Sequence, residues 1–199
     1  MATNVICFGS SITQAGGVPE PQRWPTIVQA ELNAWRPGAY SVTNRGIGGN
    51  TTANLVDRFA SDVQPLLPGV VVLQIGGNDA CLVPWAEGVQ RVSVTEFERN
   101  LRALQAAVAG RGGTMAFSTY HRFNTGHIES YKAYARMTRR VAAETGSPLI
   151  DLYRMMAERE IGLENFVTED GIHLTANGNA QYAAMVLDGL KPVLEHLAG

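Results

Sequence analysis

The sequence predicts an α/β fold in which a five-stranded parallel sheet carries helices on both faces. Three observations point there. Short apolar runs alternate with longer segments of helical period along the whole chain. The run Val70-Val71-Val72-Leu73-Gln74-Ile75 is almost unbroken in apolar residues, as a strand covered on both sides should be. The 199 residues, 45% of them hydrophobic and 17% charged, suit one globular domain spanning 1–199, with core enough to need no disulfide or metal. With right-handed crossovers, the chosen topology is a three-layer, flavodoxin-like sheet of order 2-1-3-4-5.

Each element has its own signal. Val5 to Phe8 reads as the first strand, ending at Gly9. A helix follows from Pro25 to Trp35, with proline in the first turn, where its missing N–H costs little. Tyr40 to Asn44 is a weaker strand. Thr51 to Leu67 is helical, with Leu55, Phe59, Val63 and Leu66 on one face and Pro65 bending or ending it. After the third strand, a helix from about Thr95 to Ala109 carries the stripe Phe97, Leu101, Leu104 and Val108, and Thr95 with Glu98 fits a capping box. Met115 to Phe117 is the fourth strand. Ile128 to Thr145 is a helix stopped by Gly146 and Pro148. Leu149 to Leu152 is the fifth strand. The last helix runs from Thr175 to Leu197, its stripe passing through Ala180, Ala183, Leu187, Leu190 and Leu194.

Composition narrows the function classes. A net charge of −2 offers no basic surface for nucleic acid or an anionic membrane. No apolar stretch approaches the ~20 residues of a membrane span. Cys7 and Cys81 are too few for a disulfide framework or a cysteine zinc site, and His127 and His196 have no ligand spacing with each other or with acidic partners, so neither metal nor cofactor is expected. The N-terminus lacks the charged start and long apolar run of a signal peptide, so a cytoplasmic location is expected.

In open parallel sheets, ligands bind beyond the carboxyl ends of the strands. Gly9-Ser10-Ser11-Ile12-Thr13 follows the first strand, and Asn44-Arg45-Gly46-Ile47-Gly48-Gly49-Asn50-Thr51 follows the second. Gly76-Gly77-Asn78-Asp79 follows the third, and Asp170-Gly171-Ile172-His173 precedes the last helix. Acyl transfer through serine needs a hydroxyl, a base, a group that orients the base and donors for the oxyanion. Ser11 offers the hydroxyl and His173 the base. Asp170, three residues earlier, can accept from the imidazole Nδ1–H. Gly49 offers an unobstructed backbone N–H, Asn78 its side-chain amide, and Ser11 its own N–H.

Together these four blocks resemble the SGNH hydrolases, also called the GDSL esterase family, from Phe8 to about Ala183. The resemblance implies the flavodoxin-like sheet and a serine esterase. It places the catalytic serine on Ser11 and the Asp-x-x-His pair on Asp170 and His173. The oxyanion glycine falls on Gly49, and the asparagine on Asn78. The chain departs from the family where Ser10 stands in place of the usual Asp before the nucleophile, and where Leu174 follows the histidine in place of Pro.

The expected partner is a small-molecule acyl ester. Transfer to another alcohol and carbohydrate deacetylation are variants on the same site. A flavodoxin-like nucleotide-binding module is disfavoured, because neither G-x-G-x-x-G nor G-x-x-x-x-G-K-[ST] follows the first strand. A noncatalytic binding protein on this fold is disfavoured by the complete triad. An α/β-hydrolase elbow G-x-S-x-G is absent. Trp85, His121 and Arg122 are further candidates to line the substrate site, and Leu82, Val83 and Phe123 to wall a shallow acyl pocket. Arg136, Arg139 and Arg140 read as a solvated helix face.

Overall fold

A computed structural model describes residues 2–82, 90–125 and 128–198. Its strands are β1 Thr3–Gly9, β2 Tyr40–Gly46, β3 Gly69–Gln74, β4 Thr114–Ser118 and β5 Leu149–Ile150. They form one sheet of order β2-β1-β3-β4-β5, with every pairing parallel. The helices are α1 Ser11–Gln14, α2 Trp24–Trp35, α3 Thr52–Asp62, α4 Gly77–Ala80, α5 Val94–Ala109, α6 Ile128–Thr145, α7 Leu152–Glu158 and α8 Ala176–Ala198. α2 packs with α8, whereas α3, α5 and α6 pack in series. Right-handed crossovers in opposite directions from β1 put these two groups on opposite faces of the sheet. Among the described residues no helix is long and apolar enough to cross a membrane.

The core follows the pattern of the sequence. Every residue of β3 is buried, as its apolar run requires. Phe97, Leu101, Leu104 and Val108 on α5 are all buried, as are Leu55, Phe59 and Val63 at α3. Trp24 is fully buried, donating its indole N–H to Ile12 O at 2.8 Å. Cys7 is a buried free thiol, and burial pushes its titration far up.

Several boundaries differ from expectation, each for a local reason. α3 stops at Asp62, and a separate short turn holds Gln64–Leu66, because Pro65 has no N–H to continue the helix. Ser93, not Thr95, caps α5, accepting from Glu96 N–H at 3.2 Å. Only Leu149 and Ile150 remain of the fifth strand. Asp151 turns the chain by capping α7 through Arg154 N–H at 3.3 Å, so Leu152 begins a helix. Arg139 is no solvated cation: it grips both carboxylate oxygens of Asp151 at 2.7 and 2.9 Å. Ala180 faces solvent, whereas Ala183, Leu187, Leu190 and Leu194 are buried as expected, joined by Asn179, Tyr182 and Val186.

The register positions the site. Gly9 pairs with Gly46 and Gln74, Gln74 pairs with Ser118, and Ser118 pairs with Ile150. All five strands therefore end on one rung, and the loops that leave them open onto one rim.

Candidate active site

Ser11 is the first residue of α1, directly off β1, where helix amides have no intrahelical acceptor. Its hydroxyl lies 2.9 Å from His173 Nε2. His173 Nδ1 lies 2.6 Å from Asp170 Oδ2. The two residues come from opposite ends of the chain, and the Asp170–His173 turn reaches across the rim to meet α1.

That turn is tightly specified. Asp170 Oδ1 accepts the N–H groups of Ile172 and His173 at 2.9 Å each, and Thr168 Oγ1–H at 2.8 Å. Gly171 has φ +75, and a side chain there would put its Cβ 2.5 Å from Asn124 O. Thr168 N–H donates to His173 O at 2.7 Å. Thr175 caps the following helix through Gly178 N–H at 2.9 Å. Partial burial pushes the Asp170 carboxyl up, but the hydrogen bonds from His173, Ile172 and Thr168 outweigh it, and the group stays well below the usual carboxylate range. It is an anion placed to fix one imidazole tautomer, with Nδ1–H toward Asp170 and a bare Nε2 toward Ser11.

Two loops face the serine from the other side. Gly49, at φ +77, lies in the loop after β2. Asn78 lies in α4 after β3 and donates one amide N–H to Asn50 O at 2.9 Å, which leaves the second N–H available. Asp79 locks the same junction. Its Oδ1 accepts Thr52 N–H at 2.9 Å and Thr52 Oγ1–H at 2.6 Å, and Asn100 supports the Thr52 hydroxyl at 3.1 Å. Burial pushes the Asp79 carboxyl up against those bonds.

Arg58 ties the serine loop to the Gly49 loop. It donates to Gly9 O and Arg45 O at 2.9 Å each, to Asn50 Oδ1 at 2.8 Å and to Asp62 at 2.5 Å. One guanidinium thus joins the residue two before Ser11 to the residue after Gly49. The sequence reading missed both Arg58 and the anchoring role of Asp79. Arg58 sits eight residues beyond Asn50 on a helix otherwise read for its apolar stripe, and only tertiary structure folds it back onto the rim.

Two cavities meet at Ser11 and His173. One is a chamber of about 60 Å³ lined by Gly77, Asn78, Cys81, Tyr120, Phe123, Thr125 and Ile172. The other is an open cleft of about 310 Å³ that includes Gln14, Gly16, Gly17 and Thr168. Phe123 walls the chamber as expected, whereas Leu82 lies outside both cavities. His121 does not line the substrate site: it is fully buried beneath the rim and touches neither cavity, because its ring is drawn into an aromatic cluster. Arg122 is exposed and lines neither cavity, and its backbone N–H donates to Met156 Sδ at 3.1 Å. Trp85 and Val83 lie outside the described residues.

Comparison with known proteins gives the family and the fold. The GDSL-like Lipase/Acylhydrolase family model matches residues 7–181. Esterase TesA of Pseudomonas aeruginosa is 25% identical over 196 residues, covering 97% of this chain and 90% of that protein. The lipase/acylhydrolase from Enterococcus faecalis superposes with a TM-score of 0.81 at 25% identity, covering 96% of each chain. The acetyl xylan esterase AlAXEase superposes with a TM-score of 0.78 at 27% identity, covering 93% of this chain and 98% of that one.

Proposed function

Because the chain belongs to the GDSL-like lipase/acylhydrolase family and is a carboxylic ester hydrolase, we propose that it cleaves small acyl esters through an acyl-serine intermediate on Ser11. The observation that carries this reading is the unbroken line from Asp170 through His173 to Ser11, at 2.6 and 2.9 Å. In it, His173 Nε2 takes the Ser11 proton as Oγ attacks the acyl carbon. Asp170 holds the tautomer and stabilises the imidazolium that forms. The Ser11 N–H, the Gly49 N–H and the free Asn78 amide N–H receive the oxyanion. His173 then protonates the departing alcohol. Water, activated by the same imidazole, releases the acid and restores Ser11.

The chamber sets the acyl size. It is the smaller of the two cavities beside Ser11, about 60 Å³ against about 310 Å³ for the open cleft, which favours a short acyl chain. Each methylene buried there contributes about 0.8 kcal/mol, and one left in water contributes nothing. A second reading, deacetylation of a carbohydrate, is favoured by the likeness to an acetyl xylan esterase. Acyl transfer to an alcohol uses the same intermediate. A noncatalytic binding role has no use for a base held 2.9 Å from a serine hydroxyl.

The test is kcat/KM across p-nitrophenyl esters from acetate to palmitate, below and above micelle formation. Acetyl to butyryl esters should be preferred over chains of about ten carbons or more, with no jump at the micellar threshold. A maximum at long chains would refute the small-ester reading.

A further inference from the structure

Beneath the rim sits a titratable side chain that the proposed chemistry leaves unused. His121 is fully buried, and its ring packs among Tyr120, Phe123, Phe166 and Tyr182 at centroid distances of 5.6 to 6.4 Å. Its Nε2 lies 2.7 Å from Ile172 O, while its Nδ1 is buried with no partner among the described residues. A carbonyl oxygen only accepts, so Nε2 carries the proton and Nδ1 is the bare nitrogen. Burial lowers the imidazole to about 4 despite that hydrogen bond, which keeps the ring neutral. A phenylalanine would fill the same cage without burying an unpaired nitrogen, so the position carries a cost that packing does not explain.

The Ile172 carbonyl and the His173 N–H belong to one peptide unit. Its oxygen is held by His121 at 2.7 Å, and its N–H by Asp170 Oδ1 at 2.9 Å. The plane of this peptide sets the direction in which the His173 side chain leaves the backbone. Asp170 alone fixes one end of it. His121, from the segment after β4, fixes the other end from the sheet side.

We propose that His121 is a positioning residue for His173, holding the Ile172–His173 peptide so that the imidazole spans Asp170 and Ser11. The proposal rests on His173 acting as the base. A misplacement of the base by a fraction of an ångström to an ångström costs up to about a hundredfold in rate.

The test uses the full chain with two substitutions and one measurement on the unaltered protein. His121→Phe should keep the fold and lower kcat about tenfold to a hundredfold, with KM within about twofold. It should also shift or broaden the far-downfield proton resonance of the His173–Asp170 hydrogen bond. His121→Gln, which keeps an amide donor, should recover most of both. Equal losses in the two variants, or an unchanged kcat and resonance in His121→Phe, would overturn the proposal. Nitrogen NMR of the unaltered protein should find His121 as the Nε2–H tautomer with a scalar coupling to the Ile172 carbonyl. The Nδ1–H tautomer would overturn it whether or not a variant folds. The resonances read the geometry directly, so they stand apart from any failure of His173 as the base, which His173→Ala would expose as undiminished turnover.

Discussion

Ser10 Oγ and Tyr120 Oη form a hydrogen bond of 2.8 Å, and neither residue is exposed. Ser10 stands where the family usually has an aspartate, and its environment accounts for a neutral partner. The pair is buried, and burial pushes the tyrosine up to about 12, so the phenol stays protonated. The ring of Tyr120 lies against Gly77, where a Cβ would come within 2.6 Å of it, and walls the chamber beside Ser11 and Asn78. One hydroxyl pair therefore links the neighbour of Ser11 to the ring that packs on α4, which carries Asn78.

Tyr120→Phe leaves the Ser10 hydroxyl buried without its partner, and Ser10→Ala leaves the Tyr120 hydroxyl only the Gln74 side chain, so each should destabilise the protein by about 1–3 kcal/mol. The double variant removes both groups and should cost less than the sum. Denaturant unfolding of all four proteins measures the coupling. Strict additivity would mean that the two hydroxyls do not depend on each other.

Asn78 is expected to act on the transition state. Asn78→Ala should lower kcat by about 10²–10³ with little change in KM, as loss of one oxyanion donor does. Steady-state kinetics on p-nitrophenyl acetate checks it. A kcat near that of the unaltered protein would leave Asn78 only its bond to Asn50 O.

His121 also predicts a pH dependence of stability. Burial lowers it to about 4, from 6.5 for a free imidazole. Between those values the unfolded chain binds the proton and the folded protein does not, so stability falls as pH falls. The loss from pH 7 to pH 5 should be about 2 kcal/mol. The depressed Asp170 deepens the decline at lower pH, whereas Asp79, pushed up by burial, opposes it in the carboxylate range. Urea unfolding of the unaltered protein and of His121→Phe at pH 7 and pH 5 isolates the His121 contribution from that of Asp79, and equal losses in the two proteins would contradict it.

The sheet was legible because its strands are apolar runs and its helices carry stripes, both of which are local patterns. β5 was read too long because Leu152 is as apolar as a strand residue, although Asp151 before it is a helix cap. Three rim blocks were legible because glycine, asparagine and serine cluster where strands end, and the fourth, Asp170 to His173, because an acid three residues before a histidine matches the family's pair. The supports were not. Arg58, Asp79 and His121 act through carbonyls and hydroxyls far away in sequence, and nothing in their neighbours' identities marks those contacts. Ser10 was visible as a departure from the family, but its partner Tyr120 lies 110 residues away.

The central claim is that Ser11 is the nucleophile. A fluorophosphonate probe, followed by peptide mapping, tests it most directly, because the probe reports an activated serine whatever the natural ester. A single adduct on Ser11 is expected, absent from a folded Ser11→Ala variant and strongly reduced in His173→Ala. An adduct on Ser10, or labelling that persists in Ser11→Ala, would contradict it.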